Sequence, residues 1–166
     1  EQFPTSADIP NYYIREQRIL RGTVASVADG DTLRLRHTPL FSRSTFQGKL
    51  SENTIQVRLL AVDAPEIGKF GSSSQPFAEE AKELLRKKTL GKRIQVKCAA
   101  KDQYGRLVGQ VQFGGMAGLG QVDASELLLR KGLAVVYRGK DGSYGARGRD
   151  GWEQLEADAK RKAQGM

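Results

Sequence analysis

Residues 14–36, IREQRILRGTVASVADGDTLRLR, decide the fold class. Apolar and polar residues alternate from Ile14 to Ala28, through Ile19, Val24 and Val27. They alternate again where Leu33 and Leu35 fall between Arg34 and Arg36. A period of two residues puts one face of a strand in a core. Asp29-Gly30 between two such runs predicts a hairpin.

Downstream, Thr54 to Val62 reads as a third strand, with Ile55, Val57, Leu59 and Leu60 as its apolar residues. His37 to Asn53 lacks periodicity and reads as a long exposed loop. Pro65 and the run Gly68 to Ser74 break the pattern before a helix from Pro76 to Lys88. Pro76 suits a first turn, Glu79 and Glu80 complement the dipole, and Phe77, Ala81, Leu84 and Leu85 fall on one face. Gly91 closes that helix. Strands follow at Arg93 to Ala100 and Arg106 to Phe113, joined by a turn at Asp102 to Gly105.

Gly114 to Gly120 lacks the Lys-Ser/Thr ending of a phosphate-binding loop and reads as a flexible turn. Asp123 and Glu126 have capping-box spacing and open a helix that runs through Leu127, Leu128 and Leu129 to Gly132. Ala134 to Tyr137 predicts a short strand, Lys140 to Gly151 a mobile loop, and Trp152, Leu155, Glu156 and Ala159 a last helix. Upstream, the polar segment with Pro4 and Pro10 predicts a loose arm over residues 1–13, leaving 14–166 as one domain. This order of elements is that of an α+β protein, a five-stranded OB-fold barrel with three helices.

Bulk properties narrow the chemistry. A chain of 166 residues buries a core without disulfides, and Cys98 has no partner for one. Its alternating neighbours predict a buried thiol. The net charge of +8 favours polyanions, nucleic acid first and an anionic membrane face second. His37 is the only histidine, which excludes paired-histidine, HExxH and Ser-His-Asp chemistry built on other histidines. Any hydrolase here works with carboxylates and a metal. The absence of a methionine at Glu1 suggests a processed or trimmed product.

Three segments supply carboxylates and arginines: Asp29-Gly30-Asp31-Thr32, Arg58-Leu-Leu-Ala-Val-Asp63-Ala-Pro-Glu66, and Asp102-Gln-Tyr104-Gly-Arg106. Singly, each reads as an ordinary turn or strand end. Jointly, Asp31 at the start of one strand and Asp63 at the end of another place two carboxylates at a barrel rim, within reach of Glu66. Oxygen donors of this kind suit Ca²⁺ or Mg²⁺. Arg58 and Asp63 are an odd number of positions apart, so alternation sets them on opposite faces. The strand must bend or end before Asp63 if both are to meet one ligand.

These segments, in this order, resemble the staphylococcal nuclease family, as does Glu126-Leu-Leu-Leu-Arg130-Lys-Gly-Leu-Ala134. The resemblance covers Ile14 to Lys162. His37-Thr-Pro39, Phe70-Gly71 and Gln75-Pro-Phe-Ala-Glu-Glu-Ala81 are most similar to eukaryotic members, among them membrane-anchored mitochondrial endonucleases of fungi. The resemblance implies Ca²⁺ held by Asp31, Asp63 and the Ala64 carbonyl. It implies that Glu66 activates or orients water and that Arg58 and Arg106 hold the scissile phosphate. Tyr104 matches a nucleotide-contacting tyrosine, and a second such tyrosine is Tyr137 or its rival Tyr144. Gln103 stands where the bacterial enzyme has a phosphate-contacting lysine.

The expected activity is hydrolysis of DNA and RNA, single strands preferred, leaving 3′-phosphates, by a monomer. The residues themselves do not indicate a compartment; the resemblance implies a mitochondrial membrane, with the anchor outside this chain, or secretion. Glu156 and Arg130 are expected to pair between helices, Trp152 to sit in the core, and His37 to be structural. Lys49 and Lys69 flank the presumed cleft on loops. The rival readings are a catalytically silent binding module of the same fold and a basic protein at an anionic membrane.

Overall fold

The structure, a computed structural model, describes residues 1–42, 48–116 and 119–164. Parts of the expected 37–53 loop and of the 114–120 turn therefore lie outside the described residues. The elements are α1 (Asn11–Arg15), β1 (Ile19–Asp29), β2 (Thr32–His37), α2 (Leu50–Asn53), β3 (Ile55–Leu59), β4 (Val62–Asp63), α3 (Ala78–Thr89), β5 (Arg93–Lys101), β6 (Leu107–Phe113), β7 (Val122–Asp123), α4 (Ala124–Arg130), β8 (Val135–Val136) and α5 (Gly148–Gln164).

Strands pair in the order β3-β2-β1-β5-β6, and a parallel contact of β3 with β6 closes them into a barrel. The long β1 makes this possible: one part of it pairs with β5 and the other, through two register shifts, with β2. Bulges bend a strand enough to turn a sheet on itself. Inward positions such as Leu33, Leu35, Val57, Val96, Leu107 and Val111 are fully buried. Outward neighbours are polar, as the alternation predicts. The OB-type α+β barrel expected from the order of elements is the observed architecture.

Gly30 shows why the hairpin carries Asp-Gly. Asp29 pairs with Thr32 around Gly30-Asp31, and neither loop residue takes a positive φ. A Cβ on Gly30 would lie 2.6 Å from the Ala81 Cβ and 2.9 Å from the Ala64 Cβ. The glycine permits close approach of α3 and the 64 region to the hairpin, rather than a left-handed turn.

Several expectations need correction. Ile14 lies in α1, not in the first strand, which begins at Ile19. The first residues are no loose arm: Phe3 and Ile9 are buried, and Phe3 stacks on His37 at 5.1 Å. Two apolar side chains spaced along the segment pack into the barrel's core. Phe77 is not on the buried face of α3. It takes a left-handed φ of 66° at the N-cap and is exposed, while Ala81 and Leu85 do the packing.

Glu156 does not pair with Arg130. It binds Arg138 at 2.6 Å and accepts from the Val136 amide at 3.0 Å, while Arg130 pairs with Glu126 on its own helix. Of the capping box, Asp123 accepts from the Glu126 amide, but the Glu126 carboxylate turns to Arg130 and Arg147. Trp152 and Cys98 are buried as expected. Burial pushes the Cys98 thiol up to about 12, so it stays protonated.

Candidate active site

The site begins where β3 fails to continue. Ala61 takes φ 67° between β3 and β4, and three hydrogen bonds to its backbone and that of Leu60 hold the break. The Leu60 amide donates to the Gly109 carbonyl at 2.9 Å, the buried Ser125 hydroxyl donates to the Leu60 carbonyl at 2.7 Å, and the Tyr137 amide donates to the Ala61 carbonyl at 2.8 Å. Polar groups freed from the ladder are thus satisfied. The chain changes direction after Leu60, and Asp63 arrives on the same side as Arg58. This is the bend that the odd spacing of the two requires.

Arg58 lies between two carboxylates. Its Nη1 is 3.5 Å from Asp31 Oδ2 and its Nη2 is 3.2 Å from Asp63 Oδ1. Asp31 is buried at the hairpin and is held by the Ala64 amide on Oδ2 at 2.9 Å and by Thr32 Oγ1 on Oδ1 at 3.0 Å. Partial burial, then the nearby charge of Asp31, raises the affinity of Asp63 for a proton; Arg58 opposes this and Glu66 adds to it. The donor set is hard oxygen in a partly desolvated space with too much negative charge. Among the described residues no three metal-ligating side chains form one cluster, but the Asp31 and Asp63 carboxylates are hard oxygen donors of the kind a divalent cation such as Ca²⁺ takes.

Around this centre runs a cleft of about 750 Å³. Asp31, Arg58, Asp63, Ala64, Glu66, Tyr104, Arg106 and Tyr137 all line it. Gln103 and Lys69 line it too, whereas Tyr144 and Lys49 do not. The Tyr137 ring lies 5.2 Å from the Arg58 guanidinium, and its hydroxyl donates to Asp141 at 2.6 Å. Tyr144 instead donates to the Tyr137 carbonyl, acting as a brace behind it.

Asp102 and Gln75 act on these side chains from behind, and motif reading gave neither a role. The Asp102 carboxylate accepts from Arg106 Nε at 2.6 Å and from the amides of Tyr104 and Arg106 at 2.9 Å each. It holds the turn and the arginine together, while the Arg106 Nη donors carry no protein hydrogen bond among the described residues. Gln75 accepts from the Glu66 amide at 2.9 Å, and its own amide donates to the Glu66 carbonyl at 3.0 Å. That pair closes the base of the 66–75 loop and fixes the backbone of Glu66. An aspartate opening a tight turn is the only sequence signal for Asp102; Gln75 has none.

The family model described as staphylococcal nuclease homologue matches residues 56–166. The chain is 43% identical to endonuclease Htp3 of Saprolegnia parasitica over 98% of this chain and 76% of that protein. It is 39% identical to the probable endonuclease LCL3 of Komagataella phaffii over 99% of this chain and 76% of that protein. It is 36% identical to the probable endonuclease LCL3 of Yarrowia lipolytica over the same shares, 99% and 76%. Barrel, cleft and sequence agree, and the chain belongs to the staphylococcal nuclease family.

Proposed function

We propose that this nuclease is a Ca²⁺-dependent phosphodiester hydrolase acting on single strands of DNA and RNA and leaving 3′-phosphate ends. The observation that carries the reading is the convergence of Asp31, Arg58, Asp63, Glu66 and Arg106 in one cleft. Asp31, Asp63 and the carbonyl of Ala64 are the residues to hold the ion. When bound, Ca²⁺ supplies Lewis-acid stabilisation of charge on the phosphate oxygens.

The protein's own residues do the rest. Arg58 and Arg106 present permanently charged, planar donors to the non-bridging oxygens, whose negative charge grows toward the transition state. Arg58 is oriented by the two aspartates and Arg106 by Asp102. Glu66 is exposed in the cleft, where its carboxylate accepts a hydrogen bond from the attacking water or removes its proton. The 5′ oxygen leaves opposite. Tyr104 and Tyr137 offer ring faces next to the guanidinium groups, which suits unstacked bases.

The test is plasmid and oligonucleotide cleavage with Ca²⁺ or with chelator. Glu66→Gln and Arg106→Ala, each shown to fold, are expected to lose about 10²–10³-fold in rate. Near-parental cutting by both sinks the residue roles. Tight binding without any cutting by the parent favours a silent binding module instead.

A further inference from the structure

The barrel exterior is as one-sided in charge as the cleft is mixed. No carboxylate occurs in residues 19–28, β2, β3 or β5. The outward positions instead carry arginines in a continuous order that starts at the cleft. Arg58 pairs with Thr32, and Arg34 and Arg36 follow Thr32 on the same face of β2. Arg36 is level with Thr23 of β1, and Thr23 is level with Arg93 of β5; Arg21 lies on that same face of β1.

Strand geometry sets the spacing at about 7 Å from each β2 arginine to the next, and at about 10 Å across two strand intervals from Arg36 to Arg93. None of Arg21, Arg34, Arg36 and Arg93 pairs with a carboxylate among the described residues. Among the described residues, Arg34 donates to the Thr54 hydroxyl at 3.3 Å, Arg93 donates to the Thr38 carbonyl at 2.7 Å, and the buried Arg36 Nε has no partner. The salt bridges elsewhere show that this is selective: Arg86, Arg130, Arg138, Arg147 and Arg149 all have carboxylate partners.

We propose that Arg34, Arg36 and Arg93, with Arg21 beside them, form an extended phosphate-binding track on the outside of β2, β1 and β5. Its occupant is the nucleic-acid strand that flanks the phosphate held at Arg58. The identity of that occupant rests on the nuclease reading of the cleft. The track begins at a cleft arginine, and its path from Arg58 through Thr32, Arg34 and Arg36 to Arg93, roughly 28 Å, falls within the span of the roughly 4–16 nucleotides bound per OB-fold. Arginines without carboxylate partners keep their full charge for phosphates.

The experiment is binding of a labelled 20-nucleotide single strand in chelator, where nothing is cut, as a function of salt. Parent and a triple variant, Arg34→Gln, Arg36→Gln and Arg93→Gln, are compared with a charge-matched control, Lys82→Gln, Lys88→Gln and Lys131→Gln. The track predicts a salt slope shallower by about 2 for the triple variant, at roughly 0.7 per lost contact, and about tenfold or weaker binding at 0.1 M salt. The control keeps the parental slope.

Equal slopes for both variants, or no binding by the parent, overturn the track. So does a triple variant that binds the oligonucleotide like the parent but no longer pellets with phosphatidylserine vesicles, which would assign the face to a membrane. Cleavage with Ca²⁺ is scored separately. A parent that binds as described but never cuts removes the nuclease reading and leaves the track. A parent that cuts while the triple variant binds normally does the reverse.

Discussion

At the scale of single residues, the cleft separates side chains that face its open space from side chains that hold those in place. Asp102 is the clearest of the second kind, because its side chain is almost fully buried and engages Arg106 through both backbone and guanidinium. Asp102→Asn keeps an oxygen for the amides of Tyr104 and Arg106 and removes the charge opposite Nε. The turn is expected to persist while Arg106 loses its orientation. Cleavage should fall about 10- to 100-fold, less than for Arg106→Ala, and the double variant should be no worse than Arg106→Ala alone. The Ca²⁺ concentration for half-maximal activity should stay unchanged, since Asp31 and Asp63, the carboxylates proposed to hold the ion, lie on other elements. A titration of rate against Ca²⁺ for each variant checks both statements. The residues that converge in the cleft were legible because their types and order form a known pattern. Asp102 and Gln75 were not, because their partners are other protein atoms brought close only by folding.

At the scale of elements, periodicity was sufficient for the barrel strands and insufficient at their ends. The break at Leu60-Ala61 depends on Ser125 and Tyr137, which come from elements far along the chain, so local pattern reads one strand through to Val62. The N-terminal segment failed in the same way. Two prolines and polar residues resemble a free arm, yet Phe3 and Ile9 find the barrel. Ser6 Oγ donates to the Gly105 carbonyl at 2.6 Å, and Lys101 Nζ donates to the Ile9 carbonyl at 2.9 Å, on the turn that carries Arg106 and the strand leading into it.

One titratable contact anchors this strap: the Phe3 amide donates to His37 Nδ1 at 2.9 Å. Burial, then the chain's amino terminus and Arg93, lowers the His37 pKa to about 4. The folded value lies below the ordinary value near 6.5, so the unfolded chain binds the extra proton. The stabilisation is complete above pH 6.5, declines as pH falls toward 4, and levels off below. The loss across that window is on the order of 3 kcal/mol. His37→Asn, which retains an acceptor for Phe3 but does not titrate, is expected to flatten this part of the stability-against-pH curve. The protection factor of the Phe3 amide, its exchange taken relative to the intrinsic rate at each pH, should fall on acidification in the parent but not in the variant. Equal acid sensitivity of the two proteins would rule out His37 as its source.

At the scale of the whole molecule, a chain of net charge +8 keeps Asp31, Asp63 and Glu66 together in its cleft. Fold stability is set against ligand capture there. Because burial and Asp31 raise the proton affinity of Asp63 in the fold, its ionised form is disfavoured relative to the unfolded chain. Stability therefore gains as pH falls through the folded pKa of Asp63, and a cation should replace the proton in that role at neutral pH. Ca²⁺ at a hundredfold excess over its Kd should add about 2.7 kcal/mol, which for a domain of this size is about 5–10 °C in Tm. Asp63→Asn removes both the repulsion and a ligand, so its effects have opposite signs. In chelator the variant should melt at or above the parent temperature; in saturating Ca²⁺ it should melt below the parent, because its own Tm no longer moves. Calorimetry of both proteins in both buffers decides this. A variant that melts below the parent in chelator would mean that the Arg58 ion pair outweighs carboxylate repulsion, and a parent indifferent to Ca²⁺ would remove the ion from the site.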